Sequence, residues 1–169
     1  MQIKRIYLDM DGVLANFAKK YSEAFGVSHR ERGKPEDEER FSENWKSFVE
    51  NDYFQFLEWE PGAEDLIEFI EVKFQWSPEF TQVMILSASG GRGTHEKVER
   101  QKKEWLKSKN LWYFPIIVER KTDKAKYANE NCLLIDDRED NIQQFIEAGG
   151  HGIVHKDSKS TIQKLKEYL

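Results

Sequence analysis

Cysteine is almost missing from this chain: Cys132 is the only one in 169 residues. No internal disulfide can therefore staple the fold, and a reducing compartment is the simple reading. Long hydrophobic runs are missing too. No uninterrupted apolar stretch approaches the roughly 20 residues that span a bilayer, and the opening MQIKRIYLDMDG turns charged too soon for a secretory leader. Positive charge is not in excess, since 26 Lys and Arg against 31 Asp and Glu give a net charge of -5. That balance argues against a stable nucleic-acid partner, which needs a broad basic face, but it leaves room for a local basic pocket that holds one phosphate. Internal repeats and low-complexity tracts are also absent. These absences predict a soluble cytoplasmic protein with no membrane association.

Aromatic residues, by contrast, are plentiful: 13% of the chain, with 11 Phe and 5 Trp. The length suits one domain with a modest insertion. Short apolar stretches at residues 3–9, 82–86, 114–118, 132–135 and 151–155 read as strands. Helical patterns alternate with them at about 61–73, 94–109, 123–128, 139–148 and 158–168. Near-continuous apolar strands alternating with helices predict an α/β, Rossmann-like parallel five-stranded sheet with helices on both faces. Residues 16–60 are too long for a simple crossover. They are expected to form a small helical cap inserted after the first strand, with 1–15 and 61–169 as the core. Within this insertion a helix is expected at 15–25, while the strongly polar stretch 27–44 reads as an exposed loop or a lid.

Ligands of open parallel sheets sit beyond the carboxyl ends of the strands. Three of the expected strands end there in polar residues: Asp9 and Asp11 after the first, Ser87 and Ser89 after the second, Asp136 and Asp137 after the fourth. Four acids at one sheet edge repel one another, and a divalent cation with oxygen ligands, Mg²⁺, relieves that repulsion. Lys124, just before the fourth strand, offers a further positive charge. Each feature has a blander reading. Asp9-x-Asp11 could be a loop solubiliser, Asp136 and Asp137 a helix cap, Ser87 a turn residue, and Gly90-Gly91-Arg92-Gly93 a plain strand-to-helix turn.

The motif Asp9-Met10-Asp11-Gly12-Val13-Leu14 at a strand end resembles the first motif of the haloacid dehalogenase (HAD) superfamily. Ser87, the Lys124-Ala-Lys-Tyr127-Ala128 segment and Leu134-Ile135-Asp136-Asp137-Arg138 resemble its remaining motifs, in order. Within the superfamily the chain is most similar to the 5'(3')-deoxyribonucleotidases and related phage and bacterial phosphatases, through residues 9–17, the run from Phe54 to Ala63, and residues 134–138. It departs from that pattern at Asn16, where the family has an acid, and in the loop Ser87-Ala88-Ser89-Gly90-Gly91, where a proline is usual.

The resemblance implies an Mg²⁺-dependent hydrolase of a small phosphate monoester, a ribo- or deoxyribonucleoside monophosphate, acting through an aspartyl-phosphate. Asp9 would be the nucleophile and Asp11 the general acid and base, with Ser87 and Lys124 stabilising the phosphoryl group. Lys121 and Lys126 compete with Lys124 for its role. The metal ligands would be the Asp9 side chain, the Asp11 backbone carbonyl, and Asp136 or Asp137. Phe17, Phe54, Ser89 and Arg92 are candidate substrate contacts, with Trp45 as a weaker one. A polynucleotide 3'-phosphatase and a non-catalytic phosphate-binding module are the alternatives.

Overall fold

The central strands carry apolar side chains on both faces of the sheet. In the computed structural model, which describes residues 2–169, β1 (Arg5–Leu8), β2 (Gln82–Ala88), β3 (Ile116–Glu119), β4 (Cys132–Asp136) and β5 (His151–Val154) form one sheet in the order 3-2-1-4-5, all parallel. Met1, the first residue of the expected core, lies outside the described residues. Side chains alternate across a strand. Ile6 and Leu8 accordingly join the larger core, while Tyr7 faces the opposite side with Leu86, Leu134, Ile142 and Phe145. Among the described residues no helix is long and apolar enough to cross a membrane.

The helices of the sheet layer are α3 (Ala63–Ile70), α4 (His95–Ser108), α5 (Glu139–Glu147) and α6 (Ser158–Leu165). Asp157 caps α6, its carboxylate accepting from the Ser160 N–H at 2.7 Å, which satisfies one of the free donors of the first turn. The helix expected at 61–73 is shorter than its pattern, because α3 widens into a π turn at Glu71–Gln75. The helix expected at 123–128 is only a 3-10 turn, Ala125–Tyr127.

Between β1 and α3 lie α1 (Phe17–Phe25), α2 (Pro35–Glu50) and a 3-10 turn, Tyr53–Phe56. The polar stretch 27–44 is not all loop: α2 begins inside it. Pro35 occupies the first helical position and Glu36, Asp37 and Glu38 fill the first turn, where a fixed φ and negative charge both favour a helix start. Phe17, Tyr21, Phe48 and Phe54 form the centre of this segment, with ring centroids 5.6 Å apart for Phe17 and Phe54 and 4.8 Å for Phe48 and Phe54. Its two ends run side by side. The Asn16 N–H donates to the Glu58 carbonyl at 2.8 Å, and the Glu60 N–H to the Leu14 carbonyl at 2.7 Å.

Candidate active site

The strand order reverses between β1 and β4, the switch point at which a crevice opens in a parallel sheet. Leu8 is in register with Ile135, so Asp9 and Asp136 emerge side by side. The Asp9 N–H is tied to the Ile135 carbonyl at 2.9 Å. Lys124 Nζ is buried between the two acids, 2.9 Å from Asp9 Oδ1 and 2.7 Å from Asp136 Oδ2. Asp9 Oδ1 also accepts from the Met10 N–H at 2.9 Å. Both oxygens of Asp136 are engaged by protein donors. Oδ2 accepts from Asn141 Nδ2 at 2.9 Å besides Lys124, and Oδ1 accepts from the Arg138 N–H at 2.9 Å. Asp137 is packed against Gly12, whose φ is +82° and where an added Cβ would lie 2.4 Å from Asp137 Oδ2. Only glycine leaves that space open.

A second cluster adjoins the first. Asp11 Oδ2 accepts from Lys102 Nζ at 2.9 Å, and the same ammonium reaches Ser87 Oγ at 2.6 Å and the Ala88 carbonyl at 2.9 Å. Lys102 has no exposed surface, and the Phe54 ring lies 5.2 Å from its ammonium. Among the described residues the buried Asp11 Oδ1 has no hydrogen-bond partner. Lys102 does not figure in the sequence reading, which weighed Lys121, Lys124 and Lys126. Lys126 instead pairs with Glu119 at 2.9 Å, and Lys121 is exposed. A signal for Lys102 did exist. Val98, Gln101, Lys102 and Trp105 fall on one buried stripe of α4, and a lysine on such a stripe needs internal partners.

The electrostatics fit a cation. Burial pushes the Asp9 carboxyl well above the ordinary range; Lys124 acts against that shift, while Asp136, Asp137 and Asp11 add to it. Burial, then the charges of Asp136 and Asp11, raise Asp137 to about 6. Burial alone would lower the Lys124 ammonium, but Asp9 and Asp136 outweigh it and the group is raised. Asp9, Asp136 and Asp137 each offer one carboxylate oxygen within 4.8 Å of the others. A set of hard oxygen donors carrying surplus negative charge matches a divalent cation such as Mg²⁺. The carboxylate of Asp11 is not in this set.

A cavity of about 410 Å³ is lined by Asp11, Gly12 and Asp137 together with Phe17 and His29. Such a volume suits a small ligand. Of the four substrate contacts expected from sequence, only Phe17 borders this cavity. Phe54 is fully buried behind it, stacked on Phe17 and facing Lys102. Ser89 is fully buried and turned toward α4, its Oγ 2.8 Å from His95 Nδ1. Arg92 is exposed, lies 5.4 Å from the Phe41 ring, and borders a separate cleft of about 240 Å³ with Trp45 and Lys97. Trp45 is almost entirely buried and donates from Nε1 to Thr94 Oγ1 at 3.1 Å. It thereby fastens α2 to the loop after β2.

Residues 2–163 match the family described as 5' nucleotidase, deoxy (pyrimidine), cytosolic type C protein. The chain belongs to that family. It is therefore a HAD-type phosphoric monoester hydrolase related to the 5' nucleotidases, with an aspartate cluster able to hold a divalent metal. Among curated proteins no match was found. Among solved structures, a hydrolase from Streptococcus pneumoniae TIGR4 shares 17% identity over 98% of this chain and 100% of its own, with a TM-score of 0.60. The HAD-hydrolase YfnB of Bacillus subtilis, in a form bound to magnesium, shares 16% over 90% of this chain and 86% of its own, with a TM-score of 0.56. A HAD-superfamily hydrolase from Ehrlichia chaffeensis shares 12% over 99% and 98%, with a TM-score of 0.53. At these identities the likeness is one of fold, which this nucleotidase-family chain shares with all three.

Proposed function

We propose that this 5' nucleotidase-family chain hydrolyses a small phosphate monoester, a ribo- or deoxyribonucleoside monophosphate, through an aspartyl-phosphate on Asp9 with Mg²⁺ as cofactor. The observation that carries this reading is the pair of charge clusters, Asp9–Lys124–Asp136 and Asp11–Lys102–Ser87, at the carboxyl ends of adjacent strands, with Asp11 also lining a cavity. Asp9 Oδ1 is held by Lys124 and the Met10 N–H, while Oδ2 accepts no hydrogen bond among the described residues. That leaves one oxygen fixed and one free to attack.

In the first step a carboxylate oxygen of Asp9 bonds to phosphorus as the ester P–O bond breaks, and the departing oxygen takes a proton from Asp11. In the second, Asp11 removes a proton from water. The water oxygen bonds to phosphorus, the bond to Asp9 breaks, and inorganic phosphate leaves with both carboxyls restored. Asp11 Oδ1 has no partner among the described residues, so it can carry the transferred proton while Oδ2 stays on Lys102. Lys102 and Ser87 Oγ, joined at 2.6 Å, are donors for the phosphoryl oxygens, and Lys124 orients Asp9 and offsets its charge. Held by Asp9, Asp137 and the Asp11 carbonyl, Mg²⁺ would neutralise the repulsion between carboxylate and phosphate. Asp137 is assigned as the direct ligand of its pair, because the Asp136 oxygens already accept from Lys124, Asn141 and the Arg138 N–H.

The insertion, residues 16–60, serves as the cap that supplies Phe17 and His29 to the cavity wall. The test is phosphate release by chelator-treated protein, with and without MgCl₂. Substrates are p-nitrophenyl phosphate, deoxynucleoside and 3'-nucleoside monophosphates, sugar phosphates and 3'-phosphorylated oligonucleotides. Turnover that needs Mg²⁺ and is highest on nucleoside monophosphates supports the reading. Highest turnover on the oligonucleotides, or none on any substrate, overturns it.

A further inference from the structure

The cavity beside Asp11 and Asp137 is also lined by a carboxylate that the reaction does not use. Glu60 borders the cavity and is half-buried, and among the described residues its side chain has no hydrogen bond and no ion pair within 4.0 Å. Its backbone is fixed. The Glu60 N–H donates to the Leu14 carbonyl at 2.7 Å, and the Glu60 carbonyl accepts from the Ala63 N–H at 3.0 Å. The Cα of Glu60 is therefore held close to the loop that carries Asp11. Burial holds its carboxyl above the ordinary range, with the Arg30 charge acting against that and the Asp11 charge adding to it. A carboxylate kept half out of water without a donor gains from any ligand that supplies one.

The rest of the rim narrows the choice of ligand. Asp11, Glu60, Asp137 and Glu139 bring four carboxyl groups to the lining, beside Arg30 and Lys156. Burial lowers His29 and His155, so neither adds positive charge near neutral pH. A second phosphate placed against Glu60 and Glu139 would meet their charge, whereas hydroxyl and amino groups would meet a free acceptor at Glu60. Phe17 and His29, edge to face with centroids 5.2 Å apart, offer an apolar wall for a flat ring.

We infer that Glu60 is a specificity-determining residue that accepts hydrogen bonds from the organic part of the substrate. It selects monoesters whose leaving group carries hydroxyl or amino donors and no further charge. This rests on the phosphatase reading above.

The experiment compares kcat/KM for the nucleoside monophosphate that the wild-type protein turns over best with kcat/KM for p-nitrophenyl phosphate, which has a ring but no donor. Glu60→Ala is expected to lower the ratio of the two at least tenfold, mainly through KM of the nucleotide. Glu60→Gln, which keeps the volume and one acceptor oxygen, is expected to lower it less. A purely structural role would lower both substrates alike and leave the ratio in place. An unchanged ratio in Glu60→Ala, or in Glu60→Gln should the alanine variant fail to fold, overturns the role of Glu60 while leaving the phosphatase reading intact. Wild-type protein inactive on both substrates overturns both.

Discussion

An ammonium with no exposed surface must find its partners inside the protein, and Lys102 finds three: Asp11, Ser87 and the Ala88 carbonyl. Replacing it by Met keeps much of the volume and removes one donor from the phosphoryl site. A donor of this kind is worth roughly 10²–10³ in kcat. Lys102→Met is expected to lose that much in phosphate release while still unfolding cooperatively. A variant within threefold of wild type would remove Lys102 from the chemistry.

Asp137 ties charge to stability. Between the ordinary carboxyl range near 4 and about 6, the folded metal-free protein holds a proton on Asp137 that the unfolded chain has already released. Stability therefore falls as pH rises through that window, by on the order of 2–3 kcal/mol from this group. In chelator, Asp137→Asn should flatten the loss of urea stability between pH 4 and pH 6.5. The same slope in variant and wild type would contradict the assignment.

At the scale of elements, the insertion depends on aromatic packing and on its seams with the core. Phe48 is fully buried and packs on Phe17 at 5.0 Å, Phe54 at 4.8 Å and Tyr53 at 5.3 Å. Phe48→Ala should cost about 3–5 kcal/mol, read as a lower urea midpoint; a shift under 1 kcal/mol would mean the segment contributes little to folding. The seams run to α4. Gln101 Nε2 donates to the Val49 carbonyl at 2.8 Å and Trp105 Nε1 to the Leu57 carbonyl at 2.8 Å, next to Lys102 on the same helix face. The central strands were legible in sequence because a strand buried on both faces is nearly continuous in apolar residues, as in Cys132 to Ile135 of β4. The helix α2 was harder to see. Its first turns are exposed and charged, so the apolar stripe of Trp45, Phe48 and Val49 appears only in its second half. The start signal at Pro35 and the acids after it was present, but it was masked by overall polarity.

At the scale of the whole molecule, the acids were legible because each follows directly from an apolar strand. Sheet topology then brings residues 9, 11, 87 and 136 together although they are far apart in the chain. The contribution of α4 was not legible in the same way, since a helix points Lys102 back at the sheet edge only through its packing angle. Ser89 and Arg92 look like substrate ligands in a glycine-rich loop, yet Ser89 turns to His95 and Arg92 to Phe41. Loop side chains are aimed by local backbone, which composition does not encode; Arg92 itself has φ +53°.

The account as a whole requires Asp9 to form a bond to phosphorus. The most direct measurement is phosphate release from a nucleoside monophosphate by Asp9→Asn protein at saturating Mg²⁺, beside wild type, with urea unfolding as the control for folding. Asparagine keeps the shape but cannot act as a carboxylate nucleophile, so turnover at least about 10³-fold below wild type in a folded protein is the expected result. A folded Asp9→Asn variant that turns over at a near-wild-type rate would contradict it.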